Sequence, residues 1–594
     1  RRCGAKRQPV FCENKIVMLD EIKKQIIKLL PADLEIKPED LVVPPDAKMG
    51  DLSLPCFVVA KKLGKNPAEV AHELESGIKN YESGTVKTVQ ATGPYLNFVL
   101  NPAVVAEMVL KAMAKEKNKF GESKLGQGKK IMVEFAHPNT HKAVHIGHLR
   151  NMVTGESLVR IFEKVGFKVI RANYQGDVGM QVAKCLWGIE RLKNEYEQEK
   201  KKTVSERVKF LGRAYALGAQ TFEKDEQAKK EIGEYNKKIY SQDKSIKKIY
   251  ALTRKWSLDY FQEIYKRLEI KKFDRLYFES EMPRRAVEIV RAGLKKGIFK
   301  ESQGAVIFEG GKYGLHDRVF LNSQGLPVYE SKDQALAEMQ FKEYNPAEIL
   351  HLVAQEQTEY FKVIFKALEF TLPQSIGREK HVVYGWVSLK EGKMSSRTGQ
   401  VVLAEWLLDE VEEKIIEVMR DSKIKNKKDT ARKVALAAVK YSILKTGVAN
   451  NMVFDINESI SLEGDSGPYL QYSIARINSI IKKIRSTKSE IRNKSKITNP
   501  KYQMLKTDVE KHLILKLAAF PEVVAKAAQR KDPSEVAKYV YETARVFSDF
   551  YEKSPVLKAE SEDLKVARLE LVKATKTVLE QGLSLLGIPT LKEM

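Results

Sequence analysis

Val133-Glu134-Phe135-Ala136-His137-Pro138-Asn139-Thr140-His141-Lys142-Ala143-Val144-His145-Ile146-Gly147-His148 is the stretch on which the reading of this chain turns. It grows out of Ile131-Met132-Val133-Glu134-Phe135, a short apolar run typical of a strand buried on both faces of a parallel sheet. Beyond it, Leu149 to Lys164 carries helical spacing and Lys168-Val169-Ile170 restarts a strand. Strand, loop, helix, strand opens a doubly wound nucleotide-binding fold. At the strand-to-helix junction, the helix N-terminus offers unpaired N–H groups and the positive end of its dipole to an anion. Gly147 lets a ribose or purine approach the backbone, and His145 and His148, three apart, share a face of the first turn from which both can donate to phosphate oxygens. Histidines so spaced could also hold a metal, but a third ligand and a carboxylate are not clearly supplied nearby.

Working outward, residues 1–17 show little periodicity and read as an upstream extension. Leu19, Ile22, Ile26 and Ile27, then Leu29 and Leu30, predict a helix stopped by Pro31, and residues 18–120 read as one α+β domain closed by a helix from Ala103 to Lys117. Residues 121–190 hold the first half of the nucleotide fold. The segment 191–303, dense in Lys, Glu and Tyr, reads as a helical insertion. Strand signals at Gly304 to Phe308, Arg318 to Leu321 and Ile349 to Val353 then predict that the nucleotide fold resumes over 304–403. Residues 404–594 are almost wholly helical in pattern, with Lys433 to Thr446, Tyr469 to Lys483, Val509 to Lys526, Ser534 to Lys553 and Leu564 to Leu586 as helices of an all-α domain.

Lys and Arg total 103 against 78 Asp and Glu, a net charge of +25 that suits a polyanionic partner through phosphate contacts. Four cysteines, Cys3, Cys12, Cys56 and Cys185, have neither disulfide-framework nor zinc-ribbon spacing, which fits a reducing, cytoplasmic setting. No run reaches the ~18 to 20 continuous apolar residues of a spanning helix, so no membrane is expected as a partner.

Much later in the chain, Glu391-Gly392-Lys393-Met394-Ser395-Ser396-Arg397-Thr398-Gly399 follows the apolar stretch His381 to Leu389 and carries a glycine near each end. That pattern predicts a mobile loop presenting a lysine, which can close on the β- and γ-phosphates as charge builds on departing pyrophosphate. A basic loop alone is ordinarily just solvated. Paired with the histidine junction of the same sheet, it predicts one ATP site built from His145, Gly147, His148, Lys393, Met394 and Ser395.

The two motifs resemble the signatures of class I aminoacyl-tRNA synthetases, and their surroundings resemble arginyl-tRNA synthetases in particular. The likeness runs from Met18 to Met594. It is carried by Val133-Glu134-Phe135 with Pro138-Asn139 and Lys142, by Asn173-Tyr174-Gln175-Gly176-Asp177-Val178-Gly179, by Tyr329-Glu330-Ser331-Lys332-Asp333, by Gly467-Pro468-Tyr469-Leu470-Gln471-Tyr472 with Ala475-Arg476, and by the terminal Leu586-Gly587-Ile588-Pro589 with Met594. The resemblance implies an α/β fold: a Rossmann-like parallel-sheet catalytic domain with a helical insertion, an N-terminal α+β domain for the tRNA elbow and a C-terminal all-α anticodon-binding domain. It implies ATP-dependent attachment of L-arginine to tRNA(Arg) through an arginyl-adenylate, with Mg²⁺ travelling with ATP, by a cytoplasmic monomer.

A guanidinium calls for carboxylates in fork geometry, and Glu134, Tyr329, Asp333 and Gln357 supply acid, hydroxyl and amide, read here as lying at strand ends beside the nucleotide site. By the family pattern Asp333 and Tyr329 hold the guanidinium with Gln357 beside them, while Glu134 and Asn139 meet the ammonium and carboxylate end. The resemblance assigns the phosphate work to His145, His148, Lys393 and Lys142, and the tRNA D-loop to Thr92, Tyr95 and Asn97. Three departures from the family pattern stand out: His137 stands where a small hydroxyl residue is common, Val178 where a tryptophan is, and Ser396, followed by Arg397, where the second loop lysine is usual. Family members with an eroded loop lysine rely on one just before the first motif, and this chain carries both Lys142 and Lys393. The rivals are a synthetase for another amino acid, disfavoured by two acids in the pocket, and a catalytically silent tRNA-binding paralogue.

Overall fold

The computed structural model describes residues 18–44, 46–78, 84–390, 402–422, 424–487 and 500–594. Lys393, Met394, Ser395, Ser396 and Arg397 lie outside the described residues.

The N-terminal domain opens with α1 (Met18–Ile27), whose Leu19, Ile22 and Ile26 are buried at three- and four-residue spacing. Then come β1 (Leu52–Pro55), α2 (Phe57–Leu63), α3 (Pro67–Gly77), β2 (Val86–Thr92) and β3 (Tyr95–Leu100), which form an antiparallel sheet in the order β1-β3-β2. The β2–β3 hairpin closes with Thr92 opposite Tyr95 and turns at Gly93, whose φ of 56° is left-handed. The connecting helix α4 (Pro102–Glu116) starts under an Asn101 cap.

The central domain begins with β4 (Lys130–Glu134), α5 (Ile146–Lys164) and β5 (Lys168–Gln175). Next come the helices α6 (Met180–Arg191), α7 (Lys193–Glu199), α8 (Val204–Lys224), α9 (Glu226–Tyr240) and α10 (Lys244–Arg267), which share a core of their own that includes Leu186, Phe210, Ile232 and Trp256. They are followed by β6 (Arg275–Phe278), α11 (Pro283–Lys295), β7 (Lys300–Ser302), β8 (Ala305–Phe308) and β9 (Arg318–Leu321). The domain continues through α12 (Tyr329–Tyr344), β10 (Glu348–Ala354), α13 (Thr358–Thr371), β11 (Glu379–Tyr384) and β12 (Val387–Leu389).

Five strands make one parallel sheet in the order β11-β10-β4-β5-β6. The chain winds one way from β4 through β5 to β6 and the other way through β10 to β11, so the topological switch point lies between the carboxyl ends of β4 and β10. The expected resumption of the sheet at residue 304 is corrected on two counts. The third strand of the sheet is β6, inside the segment read as insertion, while β7, β8 and β9 form a separate antiparallel sheet. A four-residue edge strand in a charged stretch has no period of its own, and sequence alternation does not say which sheet a strand joins.

The last domain comprises α14 (Ala404–Val418), α15 (Lys427–Leu444), β13 (Met452–Phe454), α16 (Ile456–Ser459), α17 (Gly467–Thr487), α18 (Asp508–Ala518), α19 (Phe520–Arg530), α20 (Ser534–Lys553) and α21 (Glu562–Leu585). The single helix expected over Val509 to Lys526 is two, broken at Ala519 with Pro521 in the first turn of α19, since a proline nitrogen cannot continue the hydrogen-bond ladder. β13 pairs in parallel with β12, joining the helical domain to the strand that runs toward residues 391–401. No described helix is long and apolar enough to cross a membrane.

Candidate active site

The loop from β4 to α5 is held in an unusual conformation. Ala136, His137 and His141 have φ of 79°, 44° and 63°, a left-handed region costly for residues with a Cβ and found where surrounding structure imposes it. The imposing contacts are visible. Asn151 of α5 accepts from the Ala136 N–H at 2.6 Å and donates to the Leu352 carbonyl of β10 at 2.6 Å. The insertion braces the other side: Ser257 of α10 accepts from the His141 N–H at 2.9 Å, and the His141 ring lies 2.8 Å from the Thr253 hydroxyl.

At the start of α5, His145 is the N-cap. Its Nδ1 accepts from the N–H groups of Gly147 and His148 at 3.1 and 3.4 Å, while the His145 N–H donates to His148 Nδ1 at 3.3 Å. The two rings thus form a reciprocal capping box, with centroids 3.8 Å apart. Burial, reinforced by Lys142, keeps the His145 ring below the usual histidine range; burial with nearby His145, His137 and Lys142 pulls His148 down to about 3. Both rings are therefore neutral at physiological pH, and with Nδ1 an acceptor the proton sits on Nε2. This corrects the expectation of open main-chain donors at the helix end. The Ile146 N–H donates to Val402 at 2.9 Å, so the first three amides of α5 are all taken, and Nε2 is the N–H that each histidine has left to donate.

That contact also locates the flank of the second motif. Val402 bonds Ile146, and the Ala404 N–H donates to the Val144 carbonyl at 2.9 Å, so the chain emerging from residues 391–401 lies against the histidine turn. Arg150, two residues after His148, is buried and donates to the carbonyls of Gly385 at 2.9 Å, Trp386 at 2.8 Å, Val448 at 3.0 Å, Asn450 at 2.7 Å and, at 3.4 Å, Gly447. One guanidinium therefore ties α5 to the turn before β12 and to the helical domain. Lys142 lies with its Nζ 4.8 Å from the centre of the Tyr215 ring on α8.

Beside this junction, at the switch point, is a cavity of about 480 Å³ whose walls include Glu134, Asn139, Tyr329, Asp333 and Gln357, all five residues expected in the amino-acid pocket. Two of them are placed differently from the expectation. Tyr329 and Asp333 occupy the first turns of α12, one turn apart, and not a strand end. α12 is buried on several sides by Ser331, Lys332, Gln334 and Ala335, so it lacks the apolar stripe by which a helix is recognised. Asn139 is seated against Gly176, where a Cβ would come within 2.2 Å of Asn139 Oδ1.

The cavity is acidic. Glu279 pairs with Lys332 at 2.5 Å and Glu330 with Arg318 at 3.0 Å, while Glu134 and Glu379 share His351, at 3.0 and 2.7 Å. Two carboxylates around one imidazolium leave one negative charge. Asp333 adds another, for it meets a neutral hydroxyl, that of Tyr360, at 2.7 Å. Burial drives the Asp333 carboxyl up to about 7 despite that bond. The pocket is thus matched to a ligand with two cationic groups.

His351, Tyr360, Gln340 and Glu379 escaped the sequence reading. Only a histidine inside an apolar strand run hinted at the first, and nothing local marked the others. Asp177, in the quoted motif, is structural: it accepts from the Ser280 N–H and hydroxyl at 2.8 and 2.7 Å and from Arg254 at 2.8 Å, fastening the insertion to the sheet. In the N-terminal domain Thr92 is exposed and Tyr95 is half-buried against Phe57, with ring centroids 5.8 Å apart. Asn97 is only 2% exposed with neither side-chain polar atom partnered, so the three do not share one surface.

Comparison with known proteins matches the whole of this architecture. Residues 109–456 match the family profile described as tRNA synthetases class I (R), catalytic domain. Residues 17–100 match Arginyl tRNA synthetase N terminal domain, and residues 470–594 match DALR anticodon binding domain. The chain belongs to the arginyl-tRNA synthetase family. Among curated arginine--tRNA ligases, that of Clostridium acetobutylicum is 33% identical over 96% of this chain and 99% of its own, and that of Treponema denticola 34% identical over 96% of both. The solved arginyl-tRNA synthetase of Thermus thermophilus superposes with a TM-score of 0.78 at 25% identity, covering 97% of this chain and 99% of the other.

Proposed function

We propose the following division of labour for the ATP-dependent attachment of arginine to tRNA that this family performs. Asp333 and Tyr329 hold the guanidinium with Gln357 beside them, and Glu134 and Asn139 meet the ammonium end. This directs the substrate carboxylate toward the histidine turn, where it attacks the α-phosphate of ATP and releases pyrophosphate. His145 and His148 donate from Nε2 to phosphate oxygens as charge builds, with Gly147 admitting the nucleotide; Lys393, Met394 and Ser395, with Lys142, complete the ATP site. Mg²⁺ travels with the phosphates. Among the described residues no group of three or more His, Cys, Asp and Glu side chains is placed to hold a metal ion. The terminal ribose hydroxyl of tRNA(Arg) then takes the arginyl group. Thr92 and Tyr95 at the hairpin end contact the tRNA elbow, and Asn97 joins them if the hairpin shifts on binding. The enzyme works as a monomer in the cytoplasm.

The observation that carries this reading is the acidic cavity at the switch point, next to the neutral histidine pair. ATP–pyrophosphate exchange, run with each amino acid in the presence and absence of tRNA, should respond to arginine alone; exchange with another amino acid would sink it. Lys393→Ala and Lys142→Ala should each lower kcat with tRNA affinity retained, and the larger loss identifies the lysine that bears more of the phosphate work.

A further inference from the structure

Glu134, His351 and Glu379 come from three neighbouring strands, β4, β10 and β11. Register places His351 directly opposite Glu134 and puts Glu379 opposite Ile349, two residues away, so all three side chains rise on one face of the sheet. His351 Nδ1 is 3.0 Å from Glu134 Oε1 and Nε2 is 2.7 Å from Glu379 Oε2. A carboxylate on each ring nitrogen requires a proton on each, which makes the ring an imidazolium. Phe361 and Phe365 pack on it with centroids 5.4 and 5.8 Å away, and its residual exposure is 6%. The second oxygen of Glu134 takes the Gln340 side-chain N–H.

We propose that His351 is the positioning residue of the amino-acid pocket, donating from both ring nitrogens so that Glu134 is held ionised and aimed at a cationic substrate. The inference rests on the reading that Glu134 meets the bound arginine. A carboxylate at the foot of a buried cavity tends to take up a proton, and a protonated Glu134 would offer a cation no charge. The groups around Glu134 are His351 from β10, Asp333 and Gln340 from α12, His137 from the β4–α5 loop, Tyr174 from β5 and, through His351, Glu379 from β11. Of these His351 is the permanent cation. Burial drives the Glu134 carboxyl upward, but His351, with His137 and Gln340 behind it, keeps the group below the usual carboxylate range; burial lowers His351, but Glu134 and Glu379 hold it well above the usual histidine range. Partners that orient a ligating group in this way govern its basicity as well as its direction.

The decisive variant combines His351→Asn with Glu379→Leu in the full chain. Asparagine keeps an N–H toward Glu134, and leucine removes the second buried carboxylate, so the net charge of the group is unchanged while the cation is gone. In aminoacylation between pH 6 and 9, the arginine KM should rise about tenfold or more near pH 6.5, with the ATP KM unchanged. Its logarithm should also steepen by one further unit per pH unit as pH falls, and high pH should restore it. A lower Tm with an unaltered pH profile of the arginine KM overturns the proposal. Glu134→Gln separates the two layers: if that change leaves the arginine KM untouched, the pocket reading falls and the proposal with it. A Glu134→Gln defect beside an unaltered profile in the double variant overturns the proposal alone. Should the double variant not fold, nitrogen-15 resonances of the native chain decide. His351 should stay doubly protonated through pH 8, and a neutral ring at pH 7.5 overturns the proposal.

Discussion

The Tyr360 hydroxyl donates to Asp333 Oδ2 across 2.7 Å, joining the start of α13 to the start of α12 over the acidic cavity. That bond and the burial of the carboxyl work in opposite directions, and burial wins, pushing the Asp333 carboxyl up to about 7.

A cation binds the ionised form of Asp333, so below that value arginine must displace a proton. The arginine KM should therefore rise by roughly tenfold per pH unit as pH falls below 7 and be flat above about 8. Tyr360→Phe removes the bond that lowers the Asp333 value, so the midpoint should move upward; Asp333→Asn should abolish the dependence and raise the KM by about 100-fold, the scale of a lost charged hydrogen bond. Steady-state kinetics across pH 6 to 9 checks all three, and a wild-type arginine KM independent of pH would sink the assignment.

His145 does two jobs that substitution can separate. Asparagine is a good N-cap but carries no group at the position of Nε2, so His145→Asn should keep the thermal midpoint and lose one hundredfold or so in pyrophosphate exchange. His145→Ala should lose the cap as well, costing about 1 kcal/mol in addition. Because His148 stays neutral down to about 3, activity lost between pH 7 and 5.5 should trace to Asp333 and not to His148. Equal unfolding midpoints for the Asn and Ala variants would refute the capping role.

Gly176→Ala offers a remote test of Asn139. The added methyl would meet Asn139 Oδ1 at 2.2 Å, the far end of a side chain that can turn away, so the fold should survive while Asn139 is displaced. The expected phenotype is that of Asn139→Ala, an arginine KM raised about tenfold with the ATP KM unchanged, and the double variant should be no worse than either single. Additive defects would show that Gly176 acts elsewhere.

How much of this was legible beforehand differs by element. β4, α5 and β5 follow from an apolar run, a helical period and a second apolar run, all local signals. The pocket residues Glu134, Asn139, Tyr329, Asp333 and Gln357 were recognised from residue type and family pattern, and one cavity gathers them. β6 was missed because four residues of an edge strand carry no period, and α12 because burial on several sides erases the stripe that marks a helix.

By itself, then, the order of residues determined what could be chemically present: the two motifs, a basic chain, a doubly wound sheet and acids suited to a guanidinium. Tertiary structure alone decided how those groups are charged and where they point. The clamp of His351 joins Glu134, 217 positions away in the chain, to Glu379, and the neutrality of His145 and His148 comes from burial and the nearby Lys142. Ionisation and hydrogen-bond direction depend on what surrounds a group in space, and no local period in a chain encodes that.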